Sequence, residues 1–239
     1  MVISALSKNI LGLFLRKVCP SCGYSLDEGE LLCAWCELRI DRCSEIRWSS
    51  TGTPVTNTSD SPVTVVTGVP VYSAVMYSGL PGDIIIRLKY SGGRYLAKAA
   101  AGMIMKYSMK LPVPGDILVP VPAGRKRKRE RGYNQAALIS AELASSSGCR
   151  SLDILKKDDS PSQVGLSPSQ RRENVAGVFR IKRRCSVPEG ANIWLVDDVA
   201  TTCSTIDSAA GVLLDSGAAH VTGLTLAYRK RKADSIIHR

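Results

Sequence analysis

Aromatic residues are scarce in this chain, at 5% of 239 residues. That argues against a row of base-stacking platforms, so any nucleic-acid contact would be chiefly electrostatic and strongly salt-dependent. Histidine is nearly absent. His220 and His238 stand far from every cysteine in sequence, which leaves no Cys/His metal set and no evident histidine base. No apolar run approaches the roughly 18–20 residues of a membrane span. No βαβ pattern surrounds the CxxC pairs, as a redox-active CxxC would need.

What is present is positive charge and cysteine. Thirty-two Lys and Arg against 21 Asp and Glu give a net charge of +11. That charge implies anionic partners, either polyanions or phosphate-bearing small molecules. Hydrophobic residues at 44% are enough for a sizeable core. Residues 2–15 read as an amphipathic helix packing on its own protein rather than as an export signal, since no small-residue cleavage site follows. A cytoplasmic location is therefore expected, in which eight cysteines mean metal or thiols rather than disulfides.

Cys19-Pro-Ser-Cys22 and Cys33-Ala-Trp-Cys36 are two knuckles whose four thiolates suit a tetrahedral zinc. Ten residues between the pairs are ample for a small hairpin, with Gly23 and Gly29 at its turns. Four sulfur ligands close the site, so its expected role is structural. Cys43 is a spare thiol in reach of the same unit. Residues 49–62 are Ser/Thr-rich without apolar periodicity and read as a linker. The expected organisation is a helix plus four-Cys unit over 1–48, the linker 49–62, and a larger domain over 63–239.

Within that domain, residues 69–77 have strand composition, while 82–90 and 95–109 look helical. Lys89 and Tyr90 stand at a helix end. Residues 116–122 form a buried strand ended by Pro120 and Pro122. It feeds a loop, residues 123–131, with six cations in seven residues, and then a helix over 134–147. Arg125, Lys126, Arg127 and Arg131 are the anion-facing candidates there, because ligands of open α/β sheets gather at the carboxyl ends of strands. A short strand at 152–155 precedes a long polar loop at 158–177. From that loop Gln163, Arg171, Arg172 and Asn174 would reach over a ligand.

The most informative stretch is Ile193-Trp-Leu-Val-Asp197-Asp198-Val-Ala200-Thr201-Thr202-Cys203-Ser204-Thr205. A strand ends in two carboxylates and a hydroxyl-rich turn, and a helix runs on to about residue 216. Free N–H groups at a helix start, with Ser and Thr donors, make an anion pocket. Two carboxylates beside it need another partner, either sugar hydroxyls or Mg²⁺. Residues 220–228 close the sheet, and Arg229-Lys-Arg-Lys reads as a solvated basic tail. Alternating strands and helices predict a parallel α/β sheet.

These pieces resemble the ComF family, competence-associated and phosphoribosyltransferase-like. The resemblance rests on the double CxxC, on Val119-Pro-Val-Pro with the basic loop ending in Arg131-Gly-Tyr-Asn-Gln135, and on Val196-Asp-Asp-Val-Ala-Thr-Thr-Cys-Ser-Thr205. Leu88-Lys-Tyr-Ser-Gly and Gln163-Val-Gly-Leu with Arg171-Arg-Glu-Asn-Val fit as well. It covers nearly the whole chain. It implies a type I phosphoribosyltransferase-like sheet flanked by helices and preceded by a zinc-ribbon unit.

The resemblance also implies phosphoribosyl pyrophosphate (PRPP) as ligand. Asp197 and Asp198 would hold the ribose hydroxyls, and Ala200, Thr201, Thr202, Cys203, Ser204 and Thr205 would cradle the 5′-phosphate. Arg125, Lys126, Arg127 and Arg131 would take the pyrophosphate with Mg²⁺, and residues 158–177 would close over the site. One departure stands out, because the family usually has Gly where this chain has Cys203. Glycine permits close approach or positive φ, and a Cβ obstructs either unless φ is helical.

Two classes of function follow. One is an enzyme transferring a 5-phosphoribosyl group from PRPP to a nitrogen nucleophile, with no readable acceptor base. The other is a non-catalytic nucleic-acid-handling factor serving single-stranded DNA uptake in natural transformation, alongside partners of the uptake machinery. A PRPP- or nucleotide-sensing regulator without turnover is a third reading on the same fold.

Overall fold

The structure is a computed structural model that describes residues 18–27, 30, 32–44, 46–48, 68–90, 92–158 and 178–230. The segment 2–15, Gly29, the linker 49–62, the loop residues Gln163, Arg171, Arg172 and Asn174, and the end of the basic tail lie outside them.

Six strands form one sheet in the order β1-β2-β8-β7-β3-β4. These are β1 (Ile46–Trp48), β2 (Pro70–Met76), β3 (Ile117–Pro120), β4 (Arg150–Ser151), β7 (Asn192–Ala200) and β8 (His220–Tyr228). All neighbours pair in parallel except β1, which runs antiparallel along the edge of β2. The remaining strands, β5 (Leu155–Lys157) and β6 (Phe179–Ile181), make a separate antiparallel ribbon.

The continuous apolar run in β7 is the signature of a strand covered on both faces. Trp194 and Val196 point into one core, with Leu224 and Leu226 of β8. That side is covered by α2 (Gly79–Leu88), α3 (Leu96–Tyr107) and α5 (Gln135–Ser147), through Ile84, Ile85, Met103, Ile104, Ile139 and Leu143. Ile193 and Leu195 point the other way, against Ile206, Ala209, Ala210 and Leu213 of α6 (Ser204–Asp215). Inside the sheet, Ser73 and Thr225 satisfy one another at 2.7 Å. The indole N–H of Trp194 donates to Asp116 Oδ2 at 2.8 Å. Neither polar pair is left unpaired in the core.

The expected parallel α/β sheet, flanked by helices and preceded by four clustered cysteines, is what the structure shows. Three details differ. Residues 125–131 are not a loop but a helix, α4 (Arg125–Arg131), closed by Gly132 at φ 77°. Arg, Lys and Glu are good helix formers, but no residue of α4 is buried, so no apolar stripe announced it. The strand expected at 152–155 falls in the link between β4 and β5, with only Leu155 in a strand. Between them Leu152 N–H still donates to Leu118 O (2.8 Å), while Ile154 turns into the core. Residues 41–43 and 46–48, within the stretch expected to hold the cysteine unit, also run along the sheet edge. Met76 N–H donates to Asp41 O (2.8 Å) and Cys43 N–H to Ala74 O (3.2 Å).

Candidate functional site

Cys19, Cys22, Cys33 and Cys36 bring their sulfurs within 4.8 Å of one another. The first knuckle is held by Cys19 N–H to Tyr24 O and Gly23 N–H to Cys19 O. The second opens α1 (Ala34–Glu37). A tetrahedral Zn²⁺ with sulfurs at about 2.3 Å spaces them about 3.8 Å apart, and Cys22 and Cys33 lie 3.6 Å apart. The residues fit the metal. Burial opposes the Cys19 thiolate, yet backbone N–H groups of Cys22, Cys33 and Ser21 more than offset it and bring its pKa down to about 6. Cys43 stands outside this cluster and packs in the other core, with Val69 and Val71. The unit is fastened to the sheet domain. Cys19, Leu32, Cys33 and Cys36 join the core under α2 and α3. Arg87 donates to Pro20 O at 3.0 Å, and Lys106 pairs with Glu37.

The second assembly follows from topology. Helix α5 leaves β3 toward one face of the sheet and α6 leaves β7 toward the other, so a crevice opens between the carboxyl ends of these adjacent strands. A cleft of about 390 Å³ lies there. Its lining includes Lys89, Arg127, Arg131, Gln135, Lys157, Asp197, Asp198, Thr201 and Thr205.

Asp197 and Asp198 lie near the carboxyl end of β7, which runs on to Ala200. Asp198 N–H donates to Asp197 Oδ1 at 2.8 Å, and Lys89 Nζ reaches Asp198 Oδ2 at 3.2 Å. Burial first, and the neighbouring Asp198 charge second, push Asp197 up to about 8 from its ordinary 3.8. Lys157 faces the opposite pressure. Burial, with Arg127 beside it, pulls its pKa down while Asp197 pulls it up.

The turn after β7 leads from the sheet into α6. Thr201 and Thr205 line the cleft. Thr202 and Ser204 hydroxyls bond one another at 2.8 Å. Ala200 and Cys203 are buried. Cys203 caps α6 at φ 58°, ψ 3°, the left-handed region. A side chain there costs roughly 1–2 kcal/mol. The Gly-to-Cys departure thus falls where glycine would be unstrained.

Of the four cations proposed for the pyrophosphate, Arg127 and Arg131 line the cleft. Arg125 faces a second cleft of about 350 Å³ on the other flank of α4, with Arg94, Lys128, Lys156 and Lys182. Lys126 lines neither cleft.

Several residues around the site were not on the expected list. Tyr133 carries α4's exit back to α2. Its hydroxyl proton is shared between Leu88 O (2.9 Å) and Tyr90 O (2.6 Å), the carbonyls flanking Lys89. Asn134 donates to Val121 O at 3.0 Å, tying the start of α5 to the strand end. Gln135 accepts from Arg131 at 3.2 Å. The run Arg131-Gly-Tyr-Asn-Gln135 signalled these positions as a motif, without their partners. Arg229, expected as solvated tail, stacks on Tyr77 at 4.6 Å and lines the cleft.

No helix among the described residues is long and apolar enough to cross a membrane.

No family model matches the chain. It is 33% identical over 146 residues to the DNA utilization protein YhgH of Salmonella typhi, covering 58% of this chain and 63% of that protein. It is 30% identical over 156 residues to the competence protein ComFC of Bacillus subtilis, covering 64% of this chain and 62% of that one. The match thus spans less than two thirds of either relative. Among solved structures, a hypoxanthine phosphoribosyl transferase of Trypanosoma cruzi superposes with a TM-score of 0.34 and 16% identity, over 66% of this chain and 67% of that one. That score is too low to build on. Together with the double CxxC and the motif-bearing loops, these matches make the chain similar to competence and DNA utilization proteins.

Proposed function

We propose that the cleft between β3 and β7 binds PRPP or a ribose-5-phosphate-type ligand, and that the protein transfers, or descends from a protein that transferred, a 5-phosphoribosyl group. One observation carries this. Two adjacent carboxylates near the end of β7 line one cleft with Arg127 and Arg131, and the hydroxyl-rich turn into α6 begins after Ala200. Carboxylates accept from sugar hydroxyls, the turn donates to a phosphate, and the arginines face the diphosphate. Mg²⁺ bound with the diphosphate would screen its charge. The chain's own contribution to transfer is positional and electrostatic. Asp197 and Asp198 hold the ribose while Arg127 and Arg131 stabilise the departing pyrophosphate.

The relatives' names support placing this activity, or its binding step, in DNA utilization and competence. A second reading, contact with single-stranded DNA, is favoured by the second basic cleft beside α4.

Calorimetry with PRPP and Mg²⁺ tests the first reading. The intact protein is expected to bind, and Asp197→Asn with Asp198→Asn to lose at least about tenfold, some 1.4 kcal/mol. Absence of binding by the intact protein would sink it. For the second reading, neutralising Arg125 and Lys128 should flatten the salt dependence of oligonucleotide binding by about one unit per lost phosphate contact. An unchanged slope removes that cleft from any DNA site.

A further inference from the structure

Gln135 is an internal residue of the cleft, only 4% exposed, at the first turn of α5. Its two amide atoms have different fates. Oε1 accepts from Arg131 at 3.2 Å, which sets which way the carboxamide points. Nε2 is then buried with no partner among the described residues. A buried donor without an acceptor is costly, and native structures rarely keep one without a reason. Flipping the amide would turn its N–H₂ toward the Arg131 guanidinium, which has no acceptor. The orphan donor is therefore locked in place in a cleft lined by Arg127 and Arg131 as well as by Asp197 and Asp198, with Arg131 its bonded neighbour.

We infer that Gln135 is a specificity residue of this cleft and donates through Nε2 to a phosphoryl oxygen of the diphosphate arm. This rests on the PRPP reading above and goes beyond it, because it assigns discrimination between ligands to one side chain. An anionic oxygen satisfies Nε2 and is attracted by Arg127 and Arg131 at the same time. The 5′-phosphate, served by the turn after β7, is held by different residues. Gln135 thus separates ligands that carry a diphosphate from ribose 5-phosphate, which lacks one.

The test is calorimetry on the full zinc-loaded chain with three probes: PRPP with Mg²⁺, inorganic pyrophosphate with Mg²⁺, and ribose 5-phosphate. Gln135→Met keeps the side chain's length and removes both polar atoms, and Gln135→Glu keeps the acceptor and removes the donor. Both variants should weaken PRPP and pyrophosphate about tenfold or more, Gln135→Glu the more strongly, and leave ribose 5-phosphate within twofold. Thermal melting supplies a control for fold. Removing an unpaired buried donor should leave the melting temperature of Gln135→Met unchanged or raised. Equal loss for all three probes, or a lowered melting temperature with no selective loss, gives Gln135 a structural role and overturns the inference. Unchanged binding of all three by the variants does so too. An intact chain that binds none of the probes overturns the parent reading instead.

Discussion

The cysteine cluster and the β3–β7 cleft are both places where like groups crowd together, and they resolve the crowding differently. Four sulfurs lie within 4.8 Å, three of the four cysteines are buried, and the unit is fastened into the core beneath α2 and α3. Four sulfurs this close, on an element packed into the core, suit a permanent tetrahedral metal. In the cleft, Lys89 pairs with Asp198, one of the two adjacent carboxylates. Gln135 keeps an orphan donor and Cys203 a left-handed backbone. These costs sit on one open crevice. A structural site is closed and internally satisfied, whereas a binding site keeps its groups waiting for a partner.

The largest effect expected to break or confirm this contrast is metal removal. Because three ligand cysteines belong to the main core, stripping zinc from the full chain should lower its melting temperature by more than about 10 °C. Structural zinc contributes on the order of 10 kcal/mol to folding, and 1 kcal/mol moves a chain of this size by about 2–4 °C. Cys36→Ser should do the same and fail to recover with added zinc. A melt unmoved by a strong chelator would make the four thiols ordinary core residues. No comparable loss is expected from mutating the cleft.

How much of this contrast was legible beforehand depended on the range of the interactions. The cysteine spacing, the apolar run of β7 and the two carboxylates after it are local patterns that the structure keeps, although β7 runs two residues past the carboxylates to Ala200. Strands β2, β3 and β8 and the helices α2, α3, α5 and α6 also appear where expected, to within a few residues. What escaped was set by tertiary contact. Leu155–Lys157 and Phe179–Ile181 pair across more than twenty intervening residues, and three-residue strands carry no readable period. The Lys89–Asp198 pair joins positions 109 apart, and Tyr133 reaches back 45 residues to Leu88. No local pattern encodes which helix end meets which strand end.

The next effect is a pH dependence peculiar to the cleft. Asp197 is raised to about 8 from an ordinary 3.8. Between those values the folded chain holds a proton that the unfolded chain has lost. Stability contributed by this group therefore falls as pH rises from about 4 to 8, and levels off above. Asp197→Asn removes the penalty. Its melting temperature should match the intact protein's near pH 4 and exceed it by several degrees at pH 8–9. A difference constant across that range would show that the shift plays no part in stability. Ligands that need the ionised carboxylate should release a proton on binding below pH 8, visible as a buffer-dependent calorimetric enthalpy.

The smallest and sharpest effect concerns Cys203. Cys203→Gly relieves a left-handed strain of roughly 1–2 kcal/mol, but it removes a side chain that is 5% exposed and packed beneath α6. One buried methylene and a thiol are worth about 1–2 kcal/mol, so the two terms nearly cancel and the melting temperature should move by no more than a few degrees. Cys203→Ala loses most of the packing and keeps the strain, and should melt lower than either. The pair separates backbone from side chain. If Cys203→Gly also tightens ribose 5-phosphate binding severalfold while Cys203→Ala does not, the strained turn is what weakens the phosphate cradle. If both variants bind as the intact chain does, the turn tolerates its cysteine, and the departure from glycine belongs to packing under α6 rather than to the ligand.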